Sequence, residues 1–129
     1  MSSVVLDASA VLAMLRGEPG AKKVENALAG SRMSVVNMAE VASFYHKLGM
    51  PDELVDRMLR PLPIELVPVD AELAWEAGRL RRHTVEGGLS LGDRFCLALA
   101  KRDGSPAWTT EQRWKGIAAA AGAKVVVIR

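Results

Sequence analysis

Cysteine occurs once in the 129 residues, at Cys96. A single thiol excludes a disulfide within the chain. Its setting, Phe95-Cys96-Leu97-Ala98-Leu99, is apolar throughout, which marks a buried, inert side chain, because reactive thiols sit in polar, partly exposed surroundings. Aromatic residues make up 5% of the chain, so the core must be aliphatic. The row of exposed rings that stacks single-stranded bases is not available either. No apolar run approaches the length of a membrane span. Asp7 interrupts the first apolar stretch and no basic region precedes it, which excludes a good signal peptide. Neither sign of charge dominates: 17 Lys and Arg against 15 Asp and Glu leave +2, which permits a nucleic-acid partner without requiring one. These absences leave a soluble, cytoplasmic protein with a single domain over residues 1–129. Its 50% hydrophobic content is enough for a core without metal or disulfide staples.

What is present alternates between strand and helix patterns. Val4-Val5-Leu6 predicts a short buried strand ending at Asp7, followed by a helix over Ala8 to Leu15 that the breakers Gly17-Glu18-Pro19-Gly20 stop. A second helix is expected over Ala21 to Leu28 and a second strand over Met33 to Val36. Asn37 then begins a third helix, in which Val41, Phe44, Tyr45 and Leu48 repeat at helical spacing before Gly49 closes it. Pro51-Asp52-Glu53 opens a fourth helix through Leu59, with acids where the helix dipole favours them. Ile64 to Val67 reads as a strand, Asp70 as the cap of a helix from Ala71 to Arg82, and Thr84 to Leu89 as a loop. Leu91 to Lys101 is apolar nearly all round, as a helix in the middle of a fold would be. The strand Ala107 to Thr109, a helix near Trp114 to Ala121 and the strand Lys124 to Ile128 complete the pattern. The order predicts an α/β fold in three layers, a mostly parallel sheet between helices.

In such sheets ligands bind beyond the carboxyl ends of the strands, and four acids fall at positions that reach that edge. Asp7 ends the first strand, Glu40 lies in the first turn after the second, Asp93 in the first turn of the apolar helix, and Glu111 just past Thr109. Crowded carboxylates repel one another, and a divalent cation relieves the repulsion. Hard oxygen donors suit Mg²⁺ or Mn²⁺, either of which can activate a water against a phosphodiester. Zinc is disfavoured, because His46, His83 and Cys96 lack ligand spacing. Each acid also has a plainer role. Ser90-Leu91-Gly92-Asp93 and Asn37-Met38-Ala39-Glu40 both fit capping boxes, and Asp7 fits a helix cap. A phosphotransfer protein using Asp7 as nucleophile ranks last, because Ser9 stands where its second Asp belongs. The basic run Arg79-Leu80-Arg81-Arg82-His83 reads either as a phosphate-binding patch or as a solvated helix end. Met14, Leu15, Met50, Met58 and Leu59 are either ordinary core or an apolar surface for a partner.

Val5-Leu6-Asp7-Ala8-Ser9-Ala10, Asn37-Met38-Ala39-Glu40-Val41, Ser90-Leu91-Gly92-Asp93 and Thr109-Thr110-Glu111-Gln112-Arg113-Trp114 occur in the order and spacing of PIN-domain proteins. The length and the closing Lys124-Val125-Val126-Val127-Ile128 strand resemble the VapC toxins of toxin–antitoxin pairs. The resemblance covers essentially the whole chain. It implies a Mg²⁺- or Mn²⁺-dependent endoribonuclease that cuts RNA, is restrained by a cognate antitoxin and forms a homodimer. It matches Asp7, Glu40 and Asp93 to the family's metal-binding acids, and Ser9, Asn37 and Thr109 to supporting polar positions. Glu111 departs from the pattern, standing where the family usually has Asp. The alternative is a catalytically weak PIN-like module that only binds a protein partner.

Overall fold

The computed structural model describes residues 3–84 and 88–129. Five parallel strands form one sheet: β1 (Val5–Leu6), β2 (Ser31–Ser34), β3 (Ile64–Val67), β4 (Ala107–Thr109) and β5 (Val125–Val127), in the spatial order β3-β2-β1-β4-β5. The chain thus starts in the middle of the sheet, builds outward to β3, then crosses to the other side of β1. The two halves part between β1 and β4, which is where an open parallel sheet offers a crevice at its carboxyl edge.

Each strand is short, so burial on both faces must hold it. Val5 and Leu6 are successive, completely buried, and belong to different cores, as the two-residue strand period requires. Leu6 joins Val11, Val24, Met33, Val41 and Val55 beneath α1 (Ala8–Leu15), α2 (Ala21–Ala27), α3 (Val35–Lys47) and α4 (Asp52–Leu59). Val5 joins Leu73, Leu80, Leu97, Leu99 and Trp114 beneath α5 (Ala71–Arg79), α6 (Arg81–Thr84) and α7 (Leu91–Asp103). A 3₁₀ turn (Gln112–Gly116) and α8 (Ala118–Ala121) complete that second layer. The three-layer expectation holds, and no described helix is long and apolar enough to cross a membrane.

Most expected elements stand where the sequence put them, and the exceptions have local causes. β2 stops at Ser34, whose hydroxyl accepts from the Val36 N–H and caps α3, so the helix begins three residues before the point that Asn37 indicated. Asn37 is therefore inside the helix and wholly buried, not its cap, and Glu40 lies past the first turn. The expected helix from Ala71 to Arg82 divides at Leu80 into α5 and α6, and Asp70 caps α5 through the Leu73 N–H at 2.8 Å. Trp114 to Ala121 splits likewise into the 3₁₀ turn and α8. The loop expected from Thr84 to Leu89 lies partly outside the described residues, and Thr84 itself closes α6. Gly49 ends α3 at φ +90°, a conformation that only glycine adopts cheaply.

Two ion-pair groups fasten the layers. Arg32 on β2 reaches Asp103 at the end of α7 (2.6 Å) and Glu65 on β3 (2.7 Å). Arg102 pairs with Asp70 (2.9 Å) and Lys101 with Glu76 (3.1 Å), which sets α7 antiparallel to α5. Leu59 is core, and Met14, Leu15, Met50 and Met58 are partly buried against the same cluster, so ordinary packing accounts for them. The large apolar side chains that do face solvent are others: Val35, Leu48, Leu54, Leu66, Val69, Trp75 and Leu91.

Truncating Leu97, which is completely buried, to alanine is expected to cost ~2–5 kcal/mol. The same change at Leu48, 68% exposed, is expected to stay within ~0.5 kcal/mol. Urea unfolding of the two variants checks both values, and similar losses would contradict the division between core and surface.

Candidate active site

Asp7 takes the N-cap position of α1 but its side chain caps nothing. The carboxylate, only 3% exposed, turns instead to two hydroxyls on one of its oxygens: Ser9 Oγ donates to Asp7 Oδ2 at 2.6 Å and Thr109 Oγ1 donates to it at 3.1 Å. The two hydroxyls also lie 3.2 Å from each other, within hydrogen-bond distance. The Thr110 N–H donates to Ser9 Oγ and the Glu111 N–H to Thr109 Oγ1, each at 3.1 Å. Each hydroxyl thus accepts one backbone N–H and has its single hydrogen available for Asp7. The ends of β1 and β4 meet in this network, which brings the hydroxyls of Ser9 and Thr109 to Asp7.

Glu40 approaches from α3, half-buried, with Oε1 accepting from Asn37 Nδ2 at 2.9 Å. The same nitrogen donates to the Gly92 carbonyl at 2.9 Å, which ties α3 to the first turn of α7. Asn37 Oδ1 is buried and has no partner. Asp93 follows Gly92 and completes a capping box: Ser90 N donates to Asp93 Oδ2 (2.9 Å) and Asp93 N to Ser90 Oγ (3.2 Å). The capping role is therefore real for Asp93, and it engages only one carboxylate oxygen.

The three acids feel one another. Burial pushes the Asp7 carboxyl up to about 7, the Ser9 hydroxyl opposes this, and the charges of Asp93 and Glu40 add to the rise. Glu40 is also raised, first by burial and then by Asp93, against the pull of Asn37. Cys96, completely buried on α7, is held well above its usual range by burial and by the same three charges; it is the inert thiol expected. Glu111 is not among the charges that raise these groups. Its carboxylate faces Arg113 Nη2 at 3.4 Å, and its backbone N–H donates to Thr109 Oγ1.

Among the described residues no three His, Cys, Asp or Glu side chains close on one point. Asp7 and Glu40, both of raised proton affinity, and Asp93, whose charge adds to both rises, offer carboxylate oxygens. They fit a hard divalent cation, which neutralises such a pocket and keeps several waters of its own. Gly92 belongs to this site without having stood out in sequence on its own account. A Cβ there would stand 2.6 Å from Glu40 Oε1 and 2.5 Å from its Cδ. The one available signal was a glycine in a helical first turn, where no bend requires it.

Asp7 has a folded-state value raised from 3.8 to about 7, so the folded protein holds this proton more tightly than the unfolded chain does. The stability this supplies is complete below the unfolded value and is lost as pH rises through the folded one. Between about pH 4 and pH 7 the metal-free protein is expected to lose on the order of 2–4 kcal/mol that Asp7→Asn retains. Urea melts of both proteins across that range check this, and parallel pH profiles would contradict it.

Comparison with known proteins follows the same geometry. The PIN domain family model matches residues 4–120. Ribonuclease VapC42 of Mycobacterium tuberculosis is 34% identical over 113 residues, 80% of this chain and 86% of that protein. Ribonuclease VapC of Mycolicibacterium smegmatis is 36% identical over 112 residues, covering 80% and 87%. Among solved structures, a toxin–antitoxin complex from Klebsiella pneumoniae superposes with a TM-score of 0.74 at 22% identity, covering 98% of both chains. Mycobacterium tuberculosis VapC20, described as a Sarcin-Ricin loop cleaving toxin, superposes at 0.73 and 18% identity over 98% of this chain and 99% of its own. With the fold, the order of the acids and the relatives in agreement, the chain belongs to the PIN-domain family, among its VapC ribonucleases.

Proposed function

We propose that this protein is a divalent-metal-dependent endoribonuclease, the toxin of a toxin–antitoxin pair, with Asp7, Glu40 and Asp93 holding Mg²⁺ or Mn²⁺. Its main support is the mutual repulsion of three carboxylates from distant parts of the chain, one of them raised to about 7 by burial. The VapC ribonucleases among its relatives and the toxin–antitoxin complexes among its structural neighbours support the activity and the antitoxin.

The residues divide the work. Ser9 and Thr109 donate to Asp7 Oδ2, which fixes the carboxylate plane and leaves Oδ1 available for a ligand. Asn37 does the same for Glu40 through Oε1, and the capping box holds Asp93 by Oδ2. A bound divalent cation supplies positive charge that activates water and steadies the phosphoryl group during in-line displacement. Substrate RNA must approach an acidic pocket, so cations are needed nearby. Arg81 and Arg82 are exposed on α6, and the Leu89 N–H donates to Thr84 O at 3.5 Å, linking the end of α6 to the approach to Ser90 and Asp93. Arg79, one turn earlier, is shared with Glu76 at 3.2 Å and contributes less free charge. Exposed Leu48, Leu54, Leu66, Trp75 and Leu91 offer apolar surface for the antitoxin and for a second copy of the chain.

Asp7→Asn, Glu40→Gln and Asp93→Asn are each expected to lower Mn²⁺-supported RNA cleavage on the order of 100-fold or more, while Glu111→Gln stays within about tenfold. Timed cleavage assays, with Mn²⁺-dependent melting of each variant, measure this; an active Asp7→Asn enzyme would defeat the reading. Replacing Arg81 and Arg82 together by glutamine is expected to reduce the salt slope of RNA binding by about 1–2, read from affinities at several ionic strengths.

A further inference from the structure

α3 and α7 meet where Asn37, Glu40 and Gly92 touch. Asn37 Nδ2 has two hydrogens and gives one to Glu40 Oε1 and one to the Gly92 carbonyl, both at 2.9 Å. Turning the amide over would set its oxygen against a carboxylate and a carbonyl, so its orientation is determined. The consequence is a buried Oδ1 with no donor, an arrangement proteins accept only where the other contacts outweigh it. Gly92 is equally unusual. It has no left-handed backbone to accommodate, it sits inside α7, and helix propensity favours alanine at such a position. The three nearest atoms to a Cβ built there all belong to the Glu40 carboxylate, with Oε1 at 2.6 Å.

We propose that Gly92 and Asn37 are positioning residues that together seat the Glu40 carboxylate, Gly92 by having no side chain and Asn37 through its amide. This rests on Glu40 being a metal ligand. The seat is a notch in the first turn of α7, directly before Asp93, so it also fixes the spacing between the two acids. An alanine methyl fills the notch and expels the carboxylate. Aspartate at position 40 is one methylene shorter and does not reach into the notch, so it has no use for the missing side chain.

The test is a double-mutant cycle on Gly92→Ala and Glu40→Asp, with Mn²⁺ affinity measured by electron paramagnetic resonance. Gly92→Ala is expected to weaken Mn²⁺ binding by about 10–100-fold in the wild-type background. In the Glu40→Asp background it is expected to change affinity by less than about threefold. In metal-free protein, Gly92→Ala is also expected to shift the Asn37 side-chain amide resonances, which a substitution at the far end of α7, such as Lys101→Ala, would leave in place. Wild-type affinity in Gly92→Ala, or an equal loss in both backgrounds, overturns the positioning role. Wild-type protein that binds no Mn²⁺ overturns the reading of Glu40 as a ligand. The two failures are distinguishable because the Asn37 resonances report the seat without metal. Should Gly92→Ala not fold, Asn37→Ser carries the same comparison, and recovery of folding in Gly92→Ala/Glu40→Asp would itself support the seat.

Discussion

A negative charge placed where water cannot reach it governs this structure. Asp7 terminates the central strand with its side chain enclosed, and two hydroxyls already committed by backbone N–H groups are all that the protein itself offers the ionised form. That compensation is incomplete, since the carboxyl remains raised to about 7. The remaining penalty is greatest in the ionised protein without a cation, which is the state a resident ion relieves. In the role proposed for Asp7, stability and activity oppose each other at this residue, as they do at many sites where chemistry needs an unfavourable charge.

The neighbouring acids show graded solutions to the same problem. Glu40 is half-buried and has one amide donor. Asp93 sits in a capping box, where the N-terminus of α7 offers backbone N–H groups. Glu111 is further out and has Arg113 within reach. Along this series the demand for an external cation falls as local compensation rises. The longer side chain at Glu111, which departs from the family pattern, is the one that finds its own counter-charge.

Much of this was legible before any coordinates. β3 and β4 match their sequence signals at both ends, and α1 does so because Asp7 and the Gly17–Gly20 breakers delimit it. The acids could be placed at one sheet edge because strand ends and helix starts are local signals, while the topology of parallel sheets is restricted. What escaped were choices between equivalent local partners. Ser34 and Asn37 are both good helix caps, and only the length of β2 decides between them. Leu80 is apolar in a helical pattern, and the glycine near it, Gly78, lies inside α5 and does not place the break. The space above Gly92 is created by a side chain from a different helix, which no linear pattern records.

The order of strands also decides when the protein becomes dangerous to RNA. β1 is made first but lies at the centre of the sheet, and one of its neighbours, β4, comes about a hundred residues later. Thr109, which donates to Asp7, is 102 positions away. A chain emerging from the ribosome cannot close the pocket until β4 is available, because pairings this distant in sequence form late. Termination before β4 leaves Asp7 without one of its neighbouring strands and without the Thr109 hydroxyl.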